Sequence, residues 1–260
     1  GLAAVVRTHR HVLVYDTGPG FPSGFNTGSA VIAPFLRARG LDAVDVLLVS
    51  HADIDHAGGG RGLLKEVPVR RILAGEPAEM AGDDARQCLA GMHWHWDGGD
   101  FRVLHPRRPL PKEGNNRSCV LHVSSRAGSL LLTGDAEREV ERELVARYGE
   151  GLRSDVLVAG HHGSNTSSSR ALLEQVQPRW VLISAGYRNR YGFPRPEVLQ
   201  RVARSGAASA DTVSGGALEM EWRSGRTLGA PVAHRFRNAR YWSHQSTVLT
   251  TGDSGYDAWR

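Results

Sequence analysis

The sequence predicts an α/β protein built in layers, and two observations carry that prediction. Short apolar runs punctuated by Gly, Asp or His alternate with helical patterns from residue 3 to residue 222. Four of the runs, HVLVY, VLLVS, SLLLTG and DVLVAG, lead straight into an aspartate or a histidine. Polar residues of that kind at the carboxyl ends of strands mark the edge where open α/β sheets gather their ligands.

The elements follow in order. AAVVR (3–7) and HVLVYD (11–16) read as a hairpin-like pair of strands with charges between them. A helical pattern covers 28–39, and the run at 45–50 is a strand that empties into SHADIDHAGGG, where three glycines let the backbone turn sharply into a helix at 59–66. Strands are predicted at 69–74, 101–105, 118–124 and 129–134, a helix at 136–148, a strand at 155–159 and a helix at 168–176. Strand 180–184, helix 195–204 and strands 207–211 and 217–222 complete the pattern. From Thr227 onward it dissolves into a basic, aromatic and then polar stretch, so we divide the chain into one domain over 1–226 and a partly disordered tail over 227–260.

A chain of 260 residues with 40% hydrophobic residues is long enough for one large core. No window approaches ~18 consecutive apolar residues, so neither a membrane span nor a signal peptide is expected. The chain opens in mid-strand without a methionine and reads as a piece of a longer protein. Cys88 and Cys119 are the two cysteines; a single bridge makes no disulfide scaffold, and both read as small buried apolar residues. A formal net charge of +5 favours an acidic partner over a basic one.

Within SHADIDHAGGG, four metal-capable side chains stand in six residues: His51, Asp53, Asp55 and His56. In an extended segment His51, Asp53 and Asp55 point one way and His56 turns to a second, a divergence that suits two metal ions ~3.5 to 4 Å apart. Imidazole and carboxylate both suit divalent first-row ions, and a strand-end carboxylate such as Asp135 can bridge a pair. Two such ions acidify a water into a nucleophile.

SHADIDHAGG is a variant of the HxHxDH signature, and with VYDTG, LLTGD and AGHHGSNTSSS it resembles the metallo-β-lactamase superfamily. NNRSCVL, LLTGDAE, GHHGSNTSS and ISAGYRNRYGFPRPEVL, in that order, look like the C-terminal soluble domain of the ComEC family, the inner-membrane channel proteins of natural transformation. The resemblance implies an αββα sandwich over residues 1 to about 222. By position it makes His51 and Asp53 ligands of a first metal, Asp55 and His56 ligands of a second, and Asp135 their bridge. Asp55 and Asp135 are then the catalytic carboxylates. One of His161 and His162 completes the second site, the sequence leaving open which. Asp16 supports the ligands from behind. Where most relatives place a third histidine for the first metal, this chain has NNRSC, with Asn116 and Ser118 nearest, so an oxygen-rich, weak first site is expected, activated by Mn ahead of Zn or Mg.

The resemblance further implies a metal-dependent nuclease that acts on the strand not imported during DNA uptake. Single- or double-stranded DNA and the channel domain of the same parent protein are its implied partners. The isolated domain is expected to be a monomer, on the extracytoplasmic side of an inner membrane. A small-molecule phosphodiesterase and a DNA-binding module with a vestigial metal site are the alternatives. Ser164, Asn165 and Ser167, ahead of a helix, read either as caps or as a phosphate seat. Arg188, Arg190 and Arg195, interleaved with Tyr187, Tyr191 and Phe193, suit a nucleic-acid backbone track, against the plainer reading of a solvated loop. His93 and His95 alternate with tryptophans as a two-faced strand, His122 reads as a satisfied strand histidine, and His9, His11, His234 and His244 show no partner spacing.

Overall fold

A computed structural model describes residues 1–79, 84–111 and 114–237. Its first sheet has five strands: β1 (Ala4–Arg7), β2 (Val12–Tyr15), β3 (Val46–Val49), β4 (Ile72–Ala74) and β5 (Arg86–Gln87), hydrogen-bonded in that order. The β1–β2 pair is antiparallel and the rest are parallel. The second sheet has seven strands: β6 (His93–Trp96), β7 (Gly99–His105), β8 (Val120–Ser125), β9 (Gly128–Leu132), β10 (Val156–Val158), β11 (Trp180–Ile183) and β12 (Ala208–Asp211), with β9 to β12 parallel.

Three apolar layers explain why the runs are so uniformly hydrophobic. Successive strand residues point to opposite faces, so a strand covered on both faces has no place for a polar side chain. In β2 and β3, Leu13, Tyr15, Val46 and Leu48 meet Phe101, Val103, Leu121, Leu132 and Val158 between the sheets. Val12, Val14, Leu47 and Val49, on the other face, pack against α1 (Ala33–Ala38) and α3 (Gly60–Glu66). Beyond the second sheet lie α4 (Arg138–Tyr148), α5 (Arg170–Val176) and α6 (Pro196–Arg204), whose Val140, Leu144, Leu172, Leu173, Val198 and Val202 cover Leu131, Leu157 and Val181. The order of layers is helix, sheet, sheet, helix: the αββα sandwich.

Two parts of the sequence reading change. The segment after β3 is not extended beyond Asp53: it turns into α2 (Ile54–Ala57), with His56 N–H donating to Asp53 O at 2.9 Å. A four-residue helical turn throws Asp53 and Asp55 apart. The stretch read as a tail also begins in ordered structure. Val232–Ala233 (β14) pairs with Leu218–Glu219 (β13), and a short helix at His234–Arg237 returns Arg235 to the carbonyls of Val213 and Ser214. Arg39 holds this end to the first sheet's helices by a two-pronged bridge to Glu219 at 2.8 and 2.9 Å. The remainder of the tail, with His244, lies outside the described residues.

Cys88 and Cys119 are fully buried between the sheets, as small apolar residues would be, and they are also joined in a disulfide. Their Cα atoms lie 6.2 Å apart, one following β5 and the other preceding β8, so the bridge ties one sheet to the other. With its ends separated by 31 positions in sequence, it constrains the unfolded chain by about 3 to 4 kcal/mol. Replacing both cysteines with alanine should lower Tm by about 5 to 15 °C, read by calorimetry on oxidised protein; an unchanged Tm is the contrary result.

Candidate metal centre

Five strand ends meet at one edge of the sandwich. Asp16 follows β2 with φ 57°, Ser50 and His51 follow β3, Asp135 follows β9, His161 and His162 follow β10, and Ser184 follows β11. Gly134 makes the approach of Asp135 possible: its φ is +55°, and a Cβ there would stand 2.7 Å from the Ser50 side chain. The Asp135 N–H donates to Ser118 Oγ at 3.0 Å, so Ser118 anchors the carboxylate's backbone.

Behind the cluster, hydrogen bonds fix which ring nitrogen faces inward. Asp16 Oδ1 accepts the Ser50 N–H at 2.6 Å, and Oδ2 accepts both the Ser50 hydroxyl at 2.9 Å and His56 Nδ1–H at 2.7 Å. His51 Nδ1 reaches the Ser50 hydroxyl oxygen at 2.9 Å, and since that hydroxyl is already donating to Asp16, His51 is the donor in this contact. His162 Nδ1–H donates to the Ser184 carbonyl at 2.8 Å. In its neutral form each of these three imidazoles therefore turns Nε2, with its lone pair, toward the centre.

In front, the donors crowd. His51, His56 and Asp135 form one group, and Asp55, His56 and His162 another, each with its ligand atoms within 4.8 Å of one another. His56 Nε2 lies 3.1 Å from His162 Nε2 and 3.1 Å from Asp135 Oδ1, and His162 Nε2 lies 3.0 Å from Asp55 Oδ2. Asp53 approaches from the rim, 3.6 Å from His51 Nε2. Two ring nitrogens with facing lone pairs repel unless a cation or a proton stands between them. His51 Nε2 is buried with no hydrogen-bond partner among the described residues, a costly arrangement that a cation relieves. The residues present fit divalent metal ions.

Electrostatics agree with that fit. Burial alone works to lower the His56 pKa, but Asp16 and Asp135 on either side outweigh it and push it up to about 10. Burial works to raise Asp135, and the imidazoles of His56, His162 and His51 hold it well below the usual carboxylate range instead. Asp55 is lowered in the same way against its burial, chiefly by the hydrogen bond to His162.

The structure places the other sequence candidates unevenly. His162 joins the donor groups, while His161 stands at the rim with its ring edge-on to Phe193 at 5.9 Å. Asn116 touches no donor of the cluster in any contact seen; its Oδ1 accepts the Glu137 N–H at 3.2 Å. The proposed phosphate seat is already occupied by its own fold. Ser167, fully buried, donates to the Ala136 carbonyl at 2.8 Å, Ser164 is buried against Thr166, and Asn165 is held by Arg201 at 2.7 Å and Arg138 at 2.6 Å. Ser169, and not Ser164 or Ser167, caps α5. That loop is scaffolding for the two histidines. Arg188, Arg190 and Arg195 are exposed, each guanidinium over an aromatic ring at 5.3, 4.8 and 5.7 Å, with no carboxylate partner among the described residues.

Three contributors escape the sequence reading. Ser50 relays His51 to Asp16. Glu76 Oε2 accepts the Ala52 N–H at 2.9 Å and so steadies the His51–Asp53 turn; it follows the β4 run, and the strand-end rule that found Asp16 also points to it. Tyr15, buried beneath the cluster, donates its hydroxyl to the Cys119 carbonyl at 2.6 Å.

The sandwich and the strand-end cluster define the class, and the comparison of sequences agrees. The profile of the metallo-β-lactamase superfamily matches residues 1–186, and the chain belongs to that superfamily. Within it the homologues are proteins of the ComEC family. The chain is 41% identical to Competence protein ComA of Neisseria gonorrhoeae over 93% of its own length and 33% of that protein's. It is 34% identical to ComE operon protein 3 of Bacillus subtilis over 77% of this chain and 27% of that one. The chain thus spans a third or less of these relatives. Among solved structures, CmlA, a diiron β-hydroxylase from Streptomyces venezuelae, is similar with a TM-score of 0.54 at 12% identity, over 80% of this chain and 50% of that one, a likeness of fold alone.

A metal ligand must be unprotonated, and metal-free His56, raised to about 10, carries a proton at pH 7.5. Metal binding must therefore expel that proton, so apparent affinity should rise with pH until about pH 10. Titration calorimetry at pH 7.5 in buffers of different ionisation enthalpy should show about one proton released as the site fills; zero release is the contrary result.

Proposed function

We propose that the chain is a two-metal deoxyribonuclease domain of a DNA-uptake protein. One observation carries the reading: the loop bearing Arg188, Arg190 and Arg195 is joined to the rim of the donor cluster through the Phe193–His161 contact. Guanidiniums with no carboxylate to neutralise them among the described residues, each lying on an aromatic face, suit a polyanion with flat bases better than a small neutral substrate. The naming of homologues as competence proteins supports DNA uptake as the setting.

In this reading His51, Asp53 and Asp135 would hold a first ion, and Asp55, His56, His162 and Asp135 would hold a second. Divalent ions bound there supply Lewis acidity to the phosphate and to an attacking water. The protein's own part is geometric and electrostatic. Asp16 and Ser50 orient the two histidines after β3, Ser184 orients His162, and Asp135 keeps its charge under near-complete burial because three imidazoles surround it. The arginines draw the backbone across the mouth, and the strand excluded from import is the proposed substrate. With His56, which also lies within reach of His51 and Asp135, given to the second ion, the first site would keep a single imidazole beside carboxylates, an oxygen-rich set that favours Mn or Mg as the activating ion over Zn. Partnership with the channel part of the same parent protein belongs to the proposal. So does an extracytoplasmic position, which the disulfide supports, since such bridges persist in oxidising compartments.

Incubation with labelled single- and double-stranded DNA across Mn, Mg, Zn and chelator tests the reaction. Cleavage is expected with Mn above Zn, and none with chelator. Asp135→Asn should remove turnover by at least about a thousandfold while Tm stays close to wild type. DNA that is shifted in a gel but never cut in any metal would instead support a binding module, the reading favoured by the sparse first site.

The loop has its own test. Replacing Arg188, Arg190 and Arg195 together with alanine should weaken DNA binding and flatten the slope of log K against log salt by up to ~0.7 to 0.9 per lost phosphate contact. Hydrolysis of a small chromogenic phosphodiester should survive. An unchanged salt slope would return the loop to solvent.

A further inference from the structure

His161 and His162 are consecutive, yet the structure gives them different chemistry. Both have left-handed backbones, φ 48° and 56°, which non-glycine residues adopt at a cost and hold only where their surroundings demand it. Gly163 continues the turn at φ +80°, where a Cβ would meet Pro194 at 2.8 Å. The strained turn sets the two ring planes 71° apart and brings both Nε2 atoms toward one oxygen, Asp135 Oδ2, at 3.9 Å for His161 and 3.6 Å for His162. His162 is 8% exposed and His161 24%. Of the two, His161 faces the opening.

What stands behind each ring decides its role. The group behind His162 Nδ1 is a carbonyl oxygen, an acceptor, so the hydrogen sits on Nδ1 and Nε2 is a lone-pair donor to a metal. Behind His161 Nδ1 stand the Thr166 hydroxyl at 3.0 Å, which can donate or accept, and the Asn115 amide nitrogen at 3.5 Å, which can only donate. With Nδ1 accepting, the hydrogen sits on Nε2 and points into the pocket. Glu137 Oε1, 3.5 Å from the same Nδ1, takes the Asn115 amide at 3.3 Å. Phe193 closes on the ring from the other side, edge to face at 5.9 Å.

We infer that His161 is a catalytic residue that donates Nε2–H to a non-bridging oxygen of the phosphate seated over Asp135, and that it holds neither metal ion. The inference rests on the phosphodiesterase reading of the same site. A donor aimed where negative charge collects stabilises it without reorganising. Asn115 and Thr166 are the positioning residues that set its tautomer.

The test uses the metal-loaded 260-residue chain with inorganic phosphate as the probe, in wild type, His161→Ala and His161→Gln, the last keeping a side-chain N–H. Metal content by mass spectrometry should match wild type in both variants, with melting profiles retained. Phosphate affinity by calorimetry should fall roughly tenfold in His161→Ala and recover in part in His161→Gln. Loss of metal from either variant would make His161 a ligand and overturn the inference. Equal phosphate affinity in all three proteins, or no phosphate binding by wild type, would overturn it too. DNA turnover is measured separately, so a wild type that binds phosphate through His161 yet cuts no DNA would sink the proposed reaction and leave this inference standing.

Discussion

One buried carboxylate governs the mouth of this sandwich. Asp16 has no exposed surface, and a charge so placed is tolerable only if every lone pair is answered. Ser50 answers with its N–H and its hydroxyl, and His56 with its ring. Because the same hydroxyl also takes up His51, one carboxylate sets the tautomer and the aim of two imidazoles. Removing its charge would free both rings at once.

The rest of the fold serves to bring that carboxylate to the others. Parallel strands in both sheets end at one edge, and the apolar layer between the sheets, with Tyr15, Leu48, Phe101 and Leu132 fully buried, fixes how far apart those edges stand. Beneath the donors the layer changes character from hydrocarbon to hydrogen bond: the Tyr15 hydroxyl reaches the Cys119 carbonyl, and the Cys119 N–H reaches the Ser50 carbonyl at 2.9 Å. These two bonds lock the first sheet's site strand to the second sheet's. A local device completes the scheme on the α5 side. Glu141, buried in α4, accepts the N–H groups of Ser168 and Ser169, and Arg201 grips the carbonyls of Ser167 and Ser168. The loop that carries the paired histidines is clamped at its far end.

Much of this was legible in the sequence, and for a physical reason. Strands buried on both faces leave a plain hydrophobic run, so β3, β9 and β10 stand out, and a polar residue that ends such a run has few places to go except the sheet's edge. Asp16, His51, Asp135 and the pair His161 and His162 are picked out that way, with no sign of which member of the pair joins the donors. Extended geometry was the wrong guess after β3, because SHADIDHAGGG carries no period long enough to distinguish a strand end from a single helical turn. The serine-rich loop misled in another manner: its hydroxyls look free in sequence, and only the fold shows that Ser164 and Ser167 are spent on their own backbone and neighbours. Two-residue strands such as β5 and β14 owe their existence to the neighbour they pair with, and the sequence holds no local trace of them.

The pairing of Asp55 with His162 spans 107 positions, and that of Asp16 with His56 spans 40. No stretch of the chain can assemble the donors by itself. Loop closure over such distances comes late, after the apolar layers have already brought the strands into register. An ion captured there binds only the finished molecule, so it stabilises the native state by mass action and leaves the early steps of folding untouched. The wide separation thus turns the cluster into a proofreader of its own assembly: a chain whose two sheets have docked one residue out of register offers no complete set of donors and gains nothing from the metal.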